Sequence, residues 1–189
     1  MLAKITQLEI FIALICICIP IILRMADSKK QQKGFRSSIS AYIEMERRHI
    51  FGMVFTIAAM LFIYNGVINL DVSFQEQMYQ FDFWQERGYN IVLGTVLFGV
   101  LLFPYNVYPK THYTFAFLFF IGCTLVIAFI HDKEDTVISY IIAAASILAL
   151  VAHLINKKWI NLFWAEWIAL TVIGIHFILE AKDIISFAS

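Results

Sequence analysis

The sequence predicts an all-α integral membrane protein, a bundle of six transmembrane helices. Of its 189 residues, 61% are hydrophobic and only 15% are charged, against about 25% charged residues in soluble domains. The mean hydropathy is +0.78. These values exclude a soluble globular domain and a disordered chain. Zero net charge excludes a generally basic binder of nucleic acid.

The positions of the charged residues define the helices. Five uncharged or nearly uncharged stretches are 21 or 22 residues long, and at about 1.5 Å per residue each crosses roughly 30 Å of hydrocarbon. The first helix has a shorter apolar core and reaches spanning length by including Ile5–Glu9. No stretch alternates as a barrel strand would. A single transmembrane domain over residues 1–189 is predicted, with spans at about 5–23, 50–70, 88–108, 111–131, 136–156 and 159–179.

The basic residues predict the orientation of this domain. Ten of the 14 Lys and Arg residues fall in the loops before spans two, four and six, so the positive-inside rule places these loops inside. Both termini are then predicted to lie outside. If the protein is bacterial, the membrane is predicted to be the cytoplasmic membrane. Within the first loop, residues 27–36 are polar and are predicted to form a flexible connector.

Several polar residues share one depth near the inner face. His49, His112 and His153 lie at helix ends there, and Glu166 is the only acid well inside a span. Three histidines with a water could form a catalytic zinc site, and an intramembrane acid is a candidate functional group. The alternative is that the histidines only anchor helix ends in the headgroup zone. No cofactor is otherwise expected, and Glu166 is predicted to face the bundle interior.

Two features are predicted at the outer face. His176 and Glu180 lie four residues apart on one helix face, which is typical of a cation-binding pair or, as we expect here, of a solvated helix end. The loop Asp71–Arg87 interleaves aromatic residues with acids and glutamines. It is predicted to form a surface-lying amphipathic segment or a lid over an outer cavity.

Several short motifs follow one another over roughly residues 36–183. They are Ser38-Ile39-Ser40, the run from His49 to Met53, Asn90, His112 with Gly122, and Ala165-Glu166-Trp167. Taken in order, these motifs resemble the Frag1/DRAM/Sfk1 family of six-helix membrane proteins, and a set of uncharacterised bacterial membrane proteins has a comparable pattern. The resemblance implies a role in lipid handling and implies Ser38, Ser40, His112 and Glu166 as site residues. The chain departs from the family where Ala41 follows the serines, and the family suggests the opposite side of the membrane for this loop.

Three functions remain open from the sequence. The first is a protein that binds or organises lipids through a polar pocket at one leaflet boundary. There Ser38, Ser40 and Arg48 would bind phosphate or hydroxyl groups, with His112 and Glu166 at the base. The second is a metal-assisted lipid hydrolase or acyl-transfer enzyme, for which no catalytic residue is assigned. The third is a scaffold or small transporter. Membrane lipids are the expected partners, with a homo-oligomer or a membrane protein partner also possible.

Overall fold

The computed structural model describes residues 2–27, 34–76, 87–130 and 136–182. These residues form helices joined by short connections, and none of them lies in a β-strand. A 3₁₀ helix, Ser40–Glu44, precedes the second long helix. The six α-helices are α1 (Leu2–Ala26), α2 (Arg48–Glu76), α3 (Tyr89–Leu102), α4 (Pro109–Phe129), α5 (Thr136–Ile155) and α6 (Leu162–Ala181).

Five of these helices are long and apolar enough to cross a membrane, and α3 is the exception. The helical class is therefore confirmed, and the five helices are consistent with an integral membrane protein. The predicted third span, 88–108, is longer than α3, which has 14 residues and covers about 21 Å. Pro104 explains the early end, because a residue before proline is disfavoured in the helical conformation. Phe103 accordingly adopts φ −114° and ψ 78°.

The helices pack in a closed ring. Each helix contacts its neighbours in the sequence, and α1 closes the ring by packing along α6. Glycines permit two of the close approaches. A Cβ on Gly94 would lie 2.6 Å from the Ala59 carbonyl oxygen of α2, and one on Gly174 would lie 2.9 Å from the Ala13 carbonyl oxygen of α1. Small residues are the usual means by which helix backbones approach closely in membranes.

The ring encloses an apolar core. Large buried side chains such as Phe51, Phe62 and Phe119 fill it, and Phe62 meets Phe119 edge to face with ring centres 5.7 Å apart. Most buried charged side chains lie at the two ends of the bundle, whereas Thr124 and Ser146, whose hydroxyl oxygens are 3.1 Å apart, meet nearer its middle.

Candidate functional site

Residues 34–47 precede α2 and are called the entry segment. This segment folds into one end of the bundle. Arg36 ties it to α1 by an ion pair with Asp27, in which Nε lies 2.7 Å from Oδ2 and both side chains are buried. Arg36 also donates to the Ala41 carbonyl oxygen at 3.2 Å. The hydrogen bond to Asp27 raises the pKa of Arg36. Asp27 and Arg36, the two ends of the predicted flexible connector, are thus held in place.

Glu166 joins the entry segment to α6. Its carboxylate accepts a 2.6 Å hydrogen bond from the backbone N–H of Ile39, and the Phe163 N–H donates to the Ser37 carbonyl oxygen at 3.0 Å. Glu166 is only 5% exposed, so the prediction that it faces the interior is confirmed. Its partner is a backbone amide, which sequence patterns do not reveal.

His112 joins the entry segment to α3 and α4. Its Nδ1 lies 2.9 Å from the Phe103 carbonyl oxygen and 3.1 Å from that of Val100. Carbonyl oxygens only accept hydrogen bonds, so Nδ1 carries a proton. In the neutral ring Nε2 is then an acceptor, and the Ser40 hydroxyl donates to it at 2.8 Å. The two carbonyls are available because α3 ends at Leu102 and leaves its last carbonyls without helical partners.

A cavity of about 20 Å³ lies between these groups. Ser40 and Glu166 line it together with apolar side chains of α2, α3, α4 and α6. This volume is enough for one water molecule and too small for a lipid headgroup. The interior hydrogen bonds of the entry segment therefore surround a water-sized space.

Four of the five predicted lipid-binding residues come together here. Ser38 is buried, and its hydroxyl accepts from the Ala41 N–H at 3.1 Å. Beside it, Ser40 meets His112 of α4 and the Ile39 N–H meets Glu166 of α6. Arg48 is different, because it starts α2 with an exposed side chain. The predicted pocket, with Arg48 above a polar base, is thus a closed hydrogen-bonded cluster beside an exposed cation.

The three histidines suggested for zinc are not brought together. His49 is exposed, and the Nδ1–H of His153 donates to the Ile160 carbonyl oxygen at 3.0 Å. Both ring nitrogens of His112 already have partners. Across the parts of the chain that the structure describes, no three His, Cys, Asp or Glu side chains form a group that could hold a metal.

Exposed cations surround the same end of the bundle, which we call the basic end. The connections that lead into α2, α4 and α6 meet there, since the entry segment bonds to residues at the start of α4 and α6. Among the described residues, five exposed basic side chains lie in these connections or in the first turns of the helices that follow, and they form the basic rim. They are Arg47, Arg48, Lys110, Lys157 and Lys158.

Aromatic residues of α6 and the entry segment gather at one side of the basic end. Trp164 and Trp167 stack with ring centres 5.2 Å apart, and Phe35 stacks on Phe163 at 4.5 Å. A shallow surface groove of about 380 Å³ starts at the two tryptophans and follows α6 past Thr171, and the described residues that line it all belong to α6. Ile168, Val172 and Ile175 complete its lining.

The opposite end of the bundle holds buried charges, here called the charged cluster: Glu9, Arg87, His176 and Glu180. Arg87 Nη1 pairs with Glu9 of α1, and Nη2 lies 2.7 Å from Oε1 of Glu180 on α6. His176 Nε2 lies 4.0 Å from the other oxygen of Glu180. The two acids and His176 are buried, so the prediction of a solvated helix end was wrong. The aromatic loop predicted beside it lies largely outside the described residues.

These ends and the apolar ring between them define a class: helical-bundle proteins with several membrane-length helices and polar clusters at the helix ends. The chain belongs to DUF7103, a family of unknown function, whose model matches residues 18–181. No curated protein and no solved structure matches the chain.

Proposed function

We propose that this protein binds an anionic phospholipid at its basic end, with an acyl chain in the α6 groove. The observation that supports this proposal most directly is the position of the groove. It begins at Trp164, two residues into α6, and Lys157 and Lys158 stand exposed in the turn just before that helix. The pair of lysines and the apolar groove are thus adjacent in the sequence.

The chemistry of the two parts matches the two parts of a phospholipid. Tryptophan is enriched where membrane hydrocarbon meets headgroups, and Trp164 is 43% exposed at that position. Each basic residue near an anionic membrane surface contributes about 1 kcal/mol of attraction. The lysines would bind the phosphate, and Ile168, Thr171 and Ile175 would contact the chain.

The buried residues have a supporting role in this proposal. Ser40, His112 and Glu166 hold the entry segment against α4 and α6, and Phe35 of that segment contacts Phe163 beside the groove. Ser38 bonds within the segment. Lipid binding is proposed here as the sequence predicted it, but the binding surface is the rim and the groove instead of the closed cluster.

Binding of anionic lipid at the basic end also predicts how the protein is oriented in the membrane. A basic end that binds anionic lipid would face the cytoplasm, with six spans and both termini outside. The resemblance to the Frag1/DRAM/Sfk1 family points to the same lipid chemistry. Cysteine labelling from either side of sealed vesicles, at a residue introduced beside Lys158, would measure this orientation.

Native mass spectrometry of the protein released from nanodiscs tests the binding proposal. In nanodiscs with equal phosphatidylglycerol and phosphatidylcholine, the wild type should retain phosphatidylglycerol. The double variant Lys157→Gln and Lys158→Gln should lose most of it. Lys110→Gln is the matched control and should lose much less, because Lys110 is exposed on the same rim but lies in the first turn of α4, away from the groove. Equal retention by all three proteins, or equal retention of the two lipids, would overturn the proposal.

A second variant tests the groove without changing charge. Thr171→Phe fills the middle of the groove and should lower lipid retention, since the acyl chain loses its space. Thr95→Phe is its control, because Thr95 is an exposed threonine on α3 and is not part of the groove. Unchanged retention in Thr171→Phe would exclude the groove as the acyl site.

A further inference from the structure

The hydrogen bond between Ser40 and His112 runs in the direction expected for a nucleophile and its base, from the hydroxyl to the ring nitrogen. Two backbone carbonyls fix the proton on Nδ1, and the Nε2 lone pair receives the Ser40 hydroxyl at 2.8 Å. A hydroxyl within 2.6–3.2 Å of a basic nitrogen, with the base oriented by a third group, is typical of activated serine nucleophiles. We propose that Ser40 and His112 are the nucleophile and general base of an acyl-transfer site for ester lipids.

The closed cluster has space for the water of this reaction, and an ester must displace part of its lining to reach Ser40. The cavity of about 20 Å³ beside Ser40 can hold the one water that hydrolysis consumes. Glu166 lines the same cavity and accepts from the N–H of Ile39, so it is a positioning residue for the backbone next to Ser40. His112 lies in the first turn of α4, at the boundary where headgroups meet hydrocarbon. The ester groups of glycerolipids lie at that boundary.

Water is the only co-reactant that hydrolysis of the ester needs. Ser40 Oγ attacks the ester carbonyl carbon, and its proton passes to Nε2 of His112. The ester C–O bond breaks, and the leaving alcohol takes the proton from Nε2. Water then attacks the acyl-serine and gives its proton to Nε2. Cleavage of the Ser40 ester bond returns that proton to Oγ and releases the fatty acid. An acceptor alcohol in place of water gives transfer instead of hydrolysis.

Labelling with a fluorophosphonate tests the site directly, because this probe reacts with activated serines and leaves unactivated ones untouched. Ser40 is 8% exposed, so a probe with a short ethyl chain is used on the full chain in nanodiscs. One phosphonyl adduct on the Ser40 peptide is expected. His112→Gln should slow labelling about 100-fold, the contribution typical of a general base.

Controls separate chemistry from folding. Ser38→Ala should label as the wild type does, since the Ser38 hydroxyl bonds only to the local backbone, whereas Ser40→Ala should not label. Thermal unfolding shows whether His112→Gln is folded. If it is not, Ser40→Thr serves in its place and should label more slowly because of its added methyl group. No adduct on folded wild type, or equal labelling of Ser40 in folded His112→Gln, would overturn the assignment. The Ser40 adduct and phosphatidylglycerol retention are separate readouts, so this site can fail independently of lipid binding.

Discussion

The two ends of the bundle differ in the polar interactions that join the helices. At the basic end a backbone segment is held mainly by hydrogen bonds, with Glu166 on the Ile39 amide and Ser40 on His112. At the other end Arg87 bridges two buried carboxylates, one on α1 and one on α6. A lost hydrogen bond leaves one polar group unsatisfied, whereas a lost guanidinium leaves two buried negative charges facing each other. The ends should therefore differ in what a single substitution does.

The largest effect is expected for Arg87→Leu. Removing one partner of a buried ion pair typically costs about 3–5 kcal/mol, and here both Glu9 and Glu180 lose their cation. The free energy of unfolding in mixed detergent micelles measures the loss. Arg87→Lys should lose less, because it keeps the charge. A triple variant with Glu9→Gln and Glu180→Gln should recover much of the stability. A loss below about 1 kcal/mol in Arg87→Leu would contradict the ion-pair account.

A smaller effect is expected for Glu166→Ala. It leaves the buried Ile39 N–H without its acceptor, which costs about 1–3 kcal/mol. Glu166→Gln keeps an oxygen at that position and should lose less than Glu166→Ala. The same unfolding assay applies, and amide hydrogen exchange at Ile39 should rise in the alanine variant. If glutamine and alanine are equally destabilising, the contact to Ile39 does not account for the loss.

The smallest effect on stability is expected for Arg48→Ala. Arg48 is exposed at the start of α2, and exposed substitutions usually change stability by no more than about 0.5 kcal/mol. Retention of phosphatidylglycerol should fall modestly, since one rim cation of five is lost. A large destabilisation would show that Arg48 has a structural partner at the basic end.

A double variant sharpens the comparison between the ends. The losses from Arg87→Leu and Glu166→Ala should add to within about 0.5 kcal/mol, because separate sites without shared partners act independently. A larger deviation, measured in the same unfolding assay, would show that the entry segment and the charged cluster are coupled through α6.

The sequence predicted the helices well because long uncharged stretches have few structural alternatives. It also predicted the interior position of Glu166, and the family resemblance grouped Ser40 with His112, which the structure brings into contact. It missed the partners, because Glu9 and Arg87 are 78 residues apart and neither belongs to a local pattern. A single Arg between two apolar stretches, and an acid inside the first helix, were the available signals. The length of α3 was missed because Pro104 was counted within an apolar run.

The short α3 has a consequence for the bilayer in the proposed six-span arrangement. There its roughly 21 Å would face about 30 Å of hydrocarbon, while the neighbouring α2 and α4 have 29 and 21 residues. Hydrophobic mismatch of this kind is relieved by local thinning of the membrane, at a fraction of a kcal/mol per Å. Thinning beside Phe103 would draw headgroups and water inward, toward the side of the bundle where His112 meets Ser40. A helix that ends early would thus reshape the membrane next to the buried polar cluster at its end.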